Sequence, residues 1–184
     1  MTISDLKTRL PDHAKDLRLN LESVLSAGGA PGLNDTQIRL LALSTAVASR
    51  YLPLTEAVEA WAAEGLDEAQ RNGARAAAAI MAMNNIYYRF THSVSEKEYG
   101  TMRASLRMNV MMNPGIDKMD FELCSLAVSA VNGCGLCMDS HEKTLRKHGV
   151  SAQAVQSAVR IAAVIHAVAV TLEQTPGAGL AQAA

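Results

Sequence analysis

Apolar residues recur along this chain at intervals of three and four, and no run alternates long enough to suggest a strand. Residues 4–25 carry the helical period in one or two short stretches, interrupted near Pro11. Ala27-Gly28-Gly29-Ala30-Pro31-Gly32 breaks the pattern. Asn34-Asp35-Thr36 offers a cap for a helix running to about Arg50. A further helix is predicted over 54–64, stopping at Gly65, and Asp67 caps a long alanine-rich one ending near Tyr88. A polar connector over 92–100 precedes a shorter helix over 105–112, which stops at Asn113-Pro114-Gly115. Three more helices are predicted over 118–131, 134–148 and 151–172, and residues 175–184 read as a frayed tail. The fold class is all-α.

The pattern repeats. Pro31-Gly32-Leu33-Asn34 resembles Pro114-Gly115-Ile116-Asp117, 83 residues on, and Glu64-Gly65-Leu66-Asp67 resembles His148-Gly149-Val150-Ser151, 84 residues on. Two halves, about 31–90 and 114–173, therefore superpose as duplicated helical units of roughly 50 residues within one bundle domain, 1–174. At offset 84, Cys134 falls on Arg50, Cys137 on Pro53 and His141 on Ala57. The scaffold is duplicated; its reactive residues are not.

With 184 residues, 49% hydrophobic and 19% charged, the chain is long enough to bury a sizeable core. Aromatic residues are 4% and Met numbers 9, which suits close helix packing with small and flexible fillers. A net charge of −1 without a long basic run argues against nucleic acid as partner. The N-terminus lacks a signal-type apolar segment, and the apolar stretch 161–172 is too short for a bilayer and holds His166. The expected location is the cytoplasm, with no membrane association. There, three cysteines point to catalysis or metal binding rather than to a disulfide framework.

Residues 121–142 read F-E-L-C-S-L-A-V-S-A-V-N-G-C-G-L-C-M-D-S-H-E. On a helix Cys134, Cys137 and His141, at i, i+3 and i+7, share one face, and Glu122 sits on the helix before. Asn132-Gly133 ends that helix, so the dithiol opens the next one, where unpaired N–H groups favour thiolate. His141 lies one turn from Cys137, which makes Cys137 the expected attacking thiol and Cys134 the resolving one. Cβ atoms at i and i+3 of a regular helix are about 5–6 Å apart, and a disulfide needs about 3.8 Å, so the first turn is expected to tighten on oxidation. Peroxide would oxidise Cys137 to a sulfenic acid, Cys134 would condense with it, and an external dithiol would restore both. Glu122 would orient His141 as the third member of a nucleophile–base–orienter set.

Other readings stand beside this one. A zinc half-site is open to the dithiol, but with His141 the ligand set is one short of tetrahedral and no second CxxC follows. Cys124 reads as a buried small hydrophobe, His166 as a satisfied core histidine and His148 as a helix C-terminal residue, while His13 and His92 show no partner pattern. Met102, Met108, Met111, Met112 and Met119 could line a cavity, though core filling is the simpler expectation. Asn84-Asn85 reads as a buried polar pair or an interface contact, and Arg103 with Arg107 as a solvated face.

The E-x11-C-x2-C-x3-H set, together with L-P-D-H-A-K-D-L-R-L-N-L, A-A-I-M-A-M-N-N-I-Y-Y-R, R-M-N-V-M-M-N-P-G-I and F-E-L-C-S-L-A-V-S-A-V-N-G-C, resembles the alkyl hydroperoxide reductase D (AhpD) family. That family lies within the wider carboxymuconolactone decarboxylase-like group. The resemblance implies a duplicated all-helical fold assembled as a homotrimer. It implies an antioxidant peroxidase for alkyl hydroperoxides, re-reduced by lipoyl groups on a dihydrolipoamide acyltransferase and able to pass electrons to the peroxiredoxin AhpC. No bound cofactor is expected. Glu122, Cys134, Cys137 and His141 match the family's proton-relay and redox-disulfide residues; Leu136 stands where the family can carry a histidine. An electron-transfer adaptor with little peroxidase activity is the alternative, and lactone decarboxylation a third.

Overall fold

A computed structural model describes residues 1–175, in which helices and turns occur and no strand. α1 (Ile3–Arg9) and α2 (Lys15–Val24) flank a 3-10 turn at Asp12–Ala14, as the break at Pro11 predicts. α3 (Asp35–Ser49), α4 (Leu52–Ala62) and α5 (Glu68–Ser93) follow. Beyond a short α6 (Glu98–Thr101) and a second 3-10 turn (Asn109–Met111) come α7 (Lys118–Val131), α8 (Gly135–Lys147) and α9 (Ala152–Glu173). The tail predicted over 175–184 lies outside the described residues, apart from Thr175.

Four helices make the centre. α3 packs on α5, α7 and α9, and α7 packs on α5 and α9. α4 covers α3, α8 covers α7 and touches α5, and α2 lies against α9. The cause is visible in the chain: positions 40–46 of α3 and 121–129 of α7 are buried without interruption, and a helix apolar all round belongs in an interior. The hydroxyls within the first run turn back on their own helix, Ser44 and Thr45 both donating to the Leu41 carbonyl. Asn34 with Gln37 and Asp67 with Gln70 form capping boxes at α3 and α5.

The same order of helices occurs twice. α3 and α7 begin 83 residues apart (Asp35, Lys118), α4 and α8 also 83 (Leu52, Gly135), and α5 and α9 84 (Glu68, Ala152). Gln37 and Asp120, another pair 83 apart, bond each other directly, Nε2 to Oδ1 at 2.9 Å. The helix that holds the thiols is therefore in register at 83. Cys134 answers to Tyr51, both being N-caps, Cys137 to Leu54 and His141 to Val58, rather than to Arg50, Pro53 and Ala57. The slip to 84 arrives only with the following helix.

Three helical expectations change. α5 runs five residues past Tyr88, its end held by edge-on contacts of Tyr87 with Tyr88 and of Phe90 with Tyr99. The helix predicted over 105–112 shrinks to the 3-10 turn, because Ser105 takes a left-handed conformation (φ 52) and so short a helix has little stability of its own. α9 starts nine residues before the stretch judged too short for a bilayer, so by length and composition alone it is long and apolar enough to cross one. Its apolar face is spent on α2, α3 and α7.

Gly32 and Gly115, equivalent by sequence, differ in surroundings. Both have left-handed backbone, but a Cβ on Gly32 would lie 2.9 Å from the Ala154 nitrogen, and one on Gly115 would meet nothing. Gly32→Ala should cost about 2–4 kcal/mol and Gly115→Ala about 1–2 kcal/mol. Urea unfolding reads both, and equal losses would contradict the close approach of α9.

Candidate active site

The break between α7 and α8 sets the thiols. Gly133 takes φ 70 and closes α7 in a Schellman motif: its N–H donates to the Ala130 carbonyl, and the Cys134 N–H to the Ser129 carbonyl at 3.0 Å. Cys134 is thus pinned as the last residue of one helix end and, with extended backbone, is the N-cap of the next. Its sulfur accepts from the Cys137 N–H at 3.3 Å. The thiols do not share a helical face as predicted, because Cys134 lies outside the helix. An extended N-cap swings its side chain back over the third helical residue, so no tightening of the turn is needed. The two sulfurs are paired, with Cα atoms 5.3 Å apart, inside the normal Cα span for a disulfide.

His141 and Glu122 meet as predicted, across the α7–α8 contact. His141 Nδ1 lies 2.6 Å from Glu122 Oε2, and both residues are buried. With Glu122 ionised, Nδ1 carries the hydrogen and donates it, which leaves Nε2 as the working nitrogen. Nε2 sits 3.3 Å from Met81 Sδ on α5, a contact that holds the ring at its other end.

Cys137 and His141 open on a cavity of about 410 Å³, also lined by Met81, Asn84, Tyr88, Met108, Met111, Leu136 and Ser140. Cys134 is 0% exposed and does not line it; Cys137 is 6% exposed and does. One sulfur is reachable and the other is screened. Among the described residues no group of His, Cys, Asp and Glu is arranged to hold a metal ion.

A model described as the carboxymuconolactone decarboxylase family matches residues 97–174, the stretch that contains Glu122, Cys134, Cys137 and His141. Relatives match nearly the whole chain. "Alkyl hydroperoxide reductase AhpD" of Rhodopseudomonas palustris is 56% identical over 173 residues, 94% of each chain. That of Rhizorhabdus wittichii is 56% identical over 169 residues, 92% of this chain and 96% of the relative. That of Streptomyces coelicolor is 51% identical over 173 residues, 94% and 96%. The chain belongs to the AhpD family.

Other predicted residues of this AhpD-family chain sort by contact. Of the methionines, Met111 and Met119 pack on the core as expected; Met111 also lines the cavity, as does Met108, and Met102 and Met112 are exposed. Asn84 and Asn85 are both buried but face different neighbours, Asn85 binding Ser129 and Asn132 near the end of α7. His166 is half-buried against Ser49 Oγ, and His148 caps α8. Arg103 and Arg107 are exposed. Met81, Tyr88 and Ser140 were missed in the sequence; the i, i+3, i+7 spacing of Met81, Asn84 and Tyr88 was the available signal. A second groove of about 400 Å³, beside Arg50, Arg75 and Arg89, reaches none of the site residues.

Cys124 is the buried bystander expected. Burial pushes its thiol up to about 12, against a smaller lowering from Ser44. The sign is that of an acid whose anion is disfavoured, so at pH 8 the folded protein holds Cys124 as unreactive thiol. After reduction, iodoacetamide at pH 8 should label Cys137, which lines the cavity, and leave Cys124 unmodified until denaturant is added. Mass spectrometry of the native labelled protein checks this, and a modified Cys124 there would contradict its burial.

Proposed function

We propose that the protein is an antioxidant thiol peroxidase that reduces alkyl hydroperoxides through a Cys134–Cys137 dithiol/disulfide cycle. The observation that carries this is one-sided access: the apolar cavity reaches Cys137 and His141 but not Cys134. Cys137 thiolate attacks the terminal oxygen of R–O–O–H, forming S–O and breaking O–O. The alkoxide takes a proton from His141 Nε2 and leaves as alcohol, with Glu122 stabilising the imidazolium before the transfer. Cys134 then attacks the sulfenic sulfur and releases water, so the dithiol supplies the two electrons that the peroxide gains.

The reductant of this reading is a lipoyl dithiol, carried by a dihydrolipoamide acyltransferase, and AhpC is the partner to which the reduced dithiol passes electrons. Support comes from the relatives' name, from the family resemblance and from a disulfide of which Cys137 lines the cavity. The same resemblance supports a homotrimer working in the cytoplasm. Consumption of cumene hydroperoxide with dihydrolipoamide as reductant is the test. Turnover without added AhpC supports the peroxidase, turnover only with AhpC supports the adaptor, and none in either arm overturns both. The decarboxylase description of the matched family favours a further arm, since lactone turnover that survived thiol alkylation would point there.

A further inference from the structure

Adjacent asparagines on α5 have opposite fates. Asn85 is satisfied at both ends: Nδ2 donates to Ser129 Oγ at 2.9 Å, and Oδ1 accepts from Asn132 Nδ2 at 2.9 Å. Asn84 is 4% exposed and only half satisfied. Its Nδ2 donates to Met111 Sδ at 3.5 Å, a weak acceptor, and its Oδ1 is screened from water with no partner. A buried amide oxygen without a hydrogen bond is costly, and a site that keeps one calls for an explanation.

The explanation lies in its place. Asn84 lines the same cavity as Cys137 and His141, in a wall otherwise dominated by Met81, Met108, Met111, Leu136 and the ring of Tyr88. Such a wall suits a molecule with a hydrocarbon body and one small polar end. The orphan group is an acceptor, so the polar end that completes it must bring a hydrogen.

We propose that Asn84 is a substrate-binding residue whose Oδ1 accepts a hydrogen bond from the terminal O–H of an alkyl hydroperoxide. This rests on the peroxidase reading above and adds to it a source of selectivity. Held by that hydrogen, the terminal oxygen is presented to Cys137 Sγ while the alkyl group lies against the methionines. The S–O bond then forms, O–O breaks, the alkoxide leaves with the His141 proton, and the O–H bound by Asn84 stays on Cys137 as the sulfenic acid. Asn84 moves no proton. A dialkyl peroxide, which has the O–O bond but no O–H, cannot make this contact.

Asn84→Leu keeps similar volume and deletes both polar atoms. Its kcat/KM for cumene hydroperoxide should fall about tenfold, while iodoacetamide alkylation of reduced Cys137 and dihydrolipoamide reduction of the disulfide stay within about twofold of wild type. The thermal midpoint should hold or rise, because an unpartnered buried acceptor has gone. A structural role would instead lower the midpoint and slow all three reactions together, and either that pattern or an unchanged peroxide rate overturns the proposal. If leucine prevents folding, Asn84→Ala, which can only enlarge the cavity, is read by the same comparison. Wild-type protein without hydroperoxide turnover would sink the peroxidase reading; turnover in wild type matched by Asn84→Leu would sink the role of Asn84 alone.

Discussion

Cys137→Ser should lose hydroperoxide turnover with dihydrolipoamide by roughly a thousandfold or more. A serine hydroxyl stays protonated at neutral pH and attacks peroxide oxygen poorly, and Cys134 cannot take over because it is screened from the cavity. Cys134→Ser should behave differently. Serine is a good N-cap, so the N–H of Cys137 keeps an acceptor and the helix start survives. Cys137 then reacts once, consumes one equivalent of hydroperoxide and stops as a sulfenic acid that dimedone traps. Stopped-flow consumption with mass spectrometry of the trapped adduct separates the two variants. The reverse pattern, a single turnover in Cys137→Ser and none in Cys134→Ser, would exchange the roles of the sulfurs.

Glu122→Gln and His141→Gln should each lower kcat/KM by about a hundredfold, and the double variant should be no worse than the poorer single one. The 2.6 Å contact makes them one device: the carboxylate fixes the hydrogen on Nδ1, and Nε2 is useful only while that holds. Glutamine keeps the size of Glu122 but can donate as well as accept, so it no longer dictates the tautomer. Residues acting as a unit give strongly non-additive losses. His141→Gln also leaves a carboxylate buried without its partner, so thermal midpoints must accompany the rates. Additive losses across the cycle would mean that the two groups act separately, and Glu122 would lose its assigned place.

Much of the fold was readable because its signals are local. Asn34, Asp67, Asp117 and Ser151 all cap helices through their own side chains, and Pro11, Gly65 and Gly133 lie at or beside helix ends. The pairing of Glu122 with His141 was expected largely from the family resemblance, and the contact itself waited on the packing of α7 against α8. The fate of 105–112 was not readable. Its periodicity suits a helix, but Met108 and Met111 take up the cavity wall and Ser105 turns left-handed. Tertiary demand outweighs a weak local preference there.

Composition, periodicity and the E-x11-C-x2-C-x3-H spacing by themselves determined an all-helical chain with a repeated unit and one candidate redox centre. These follow from short-range rules of capping, turn conformation and the pitch of the helix. Only the tertiary structure decided that Cys137, and not Cys134, meets the cavity, and that Met81 and Asn84 of α5 complete it. Those depend on contacts between residues more than forty positions apart. Such contacts are made by the packing of whole helices, and no local run of residues encodes them.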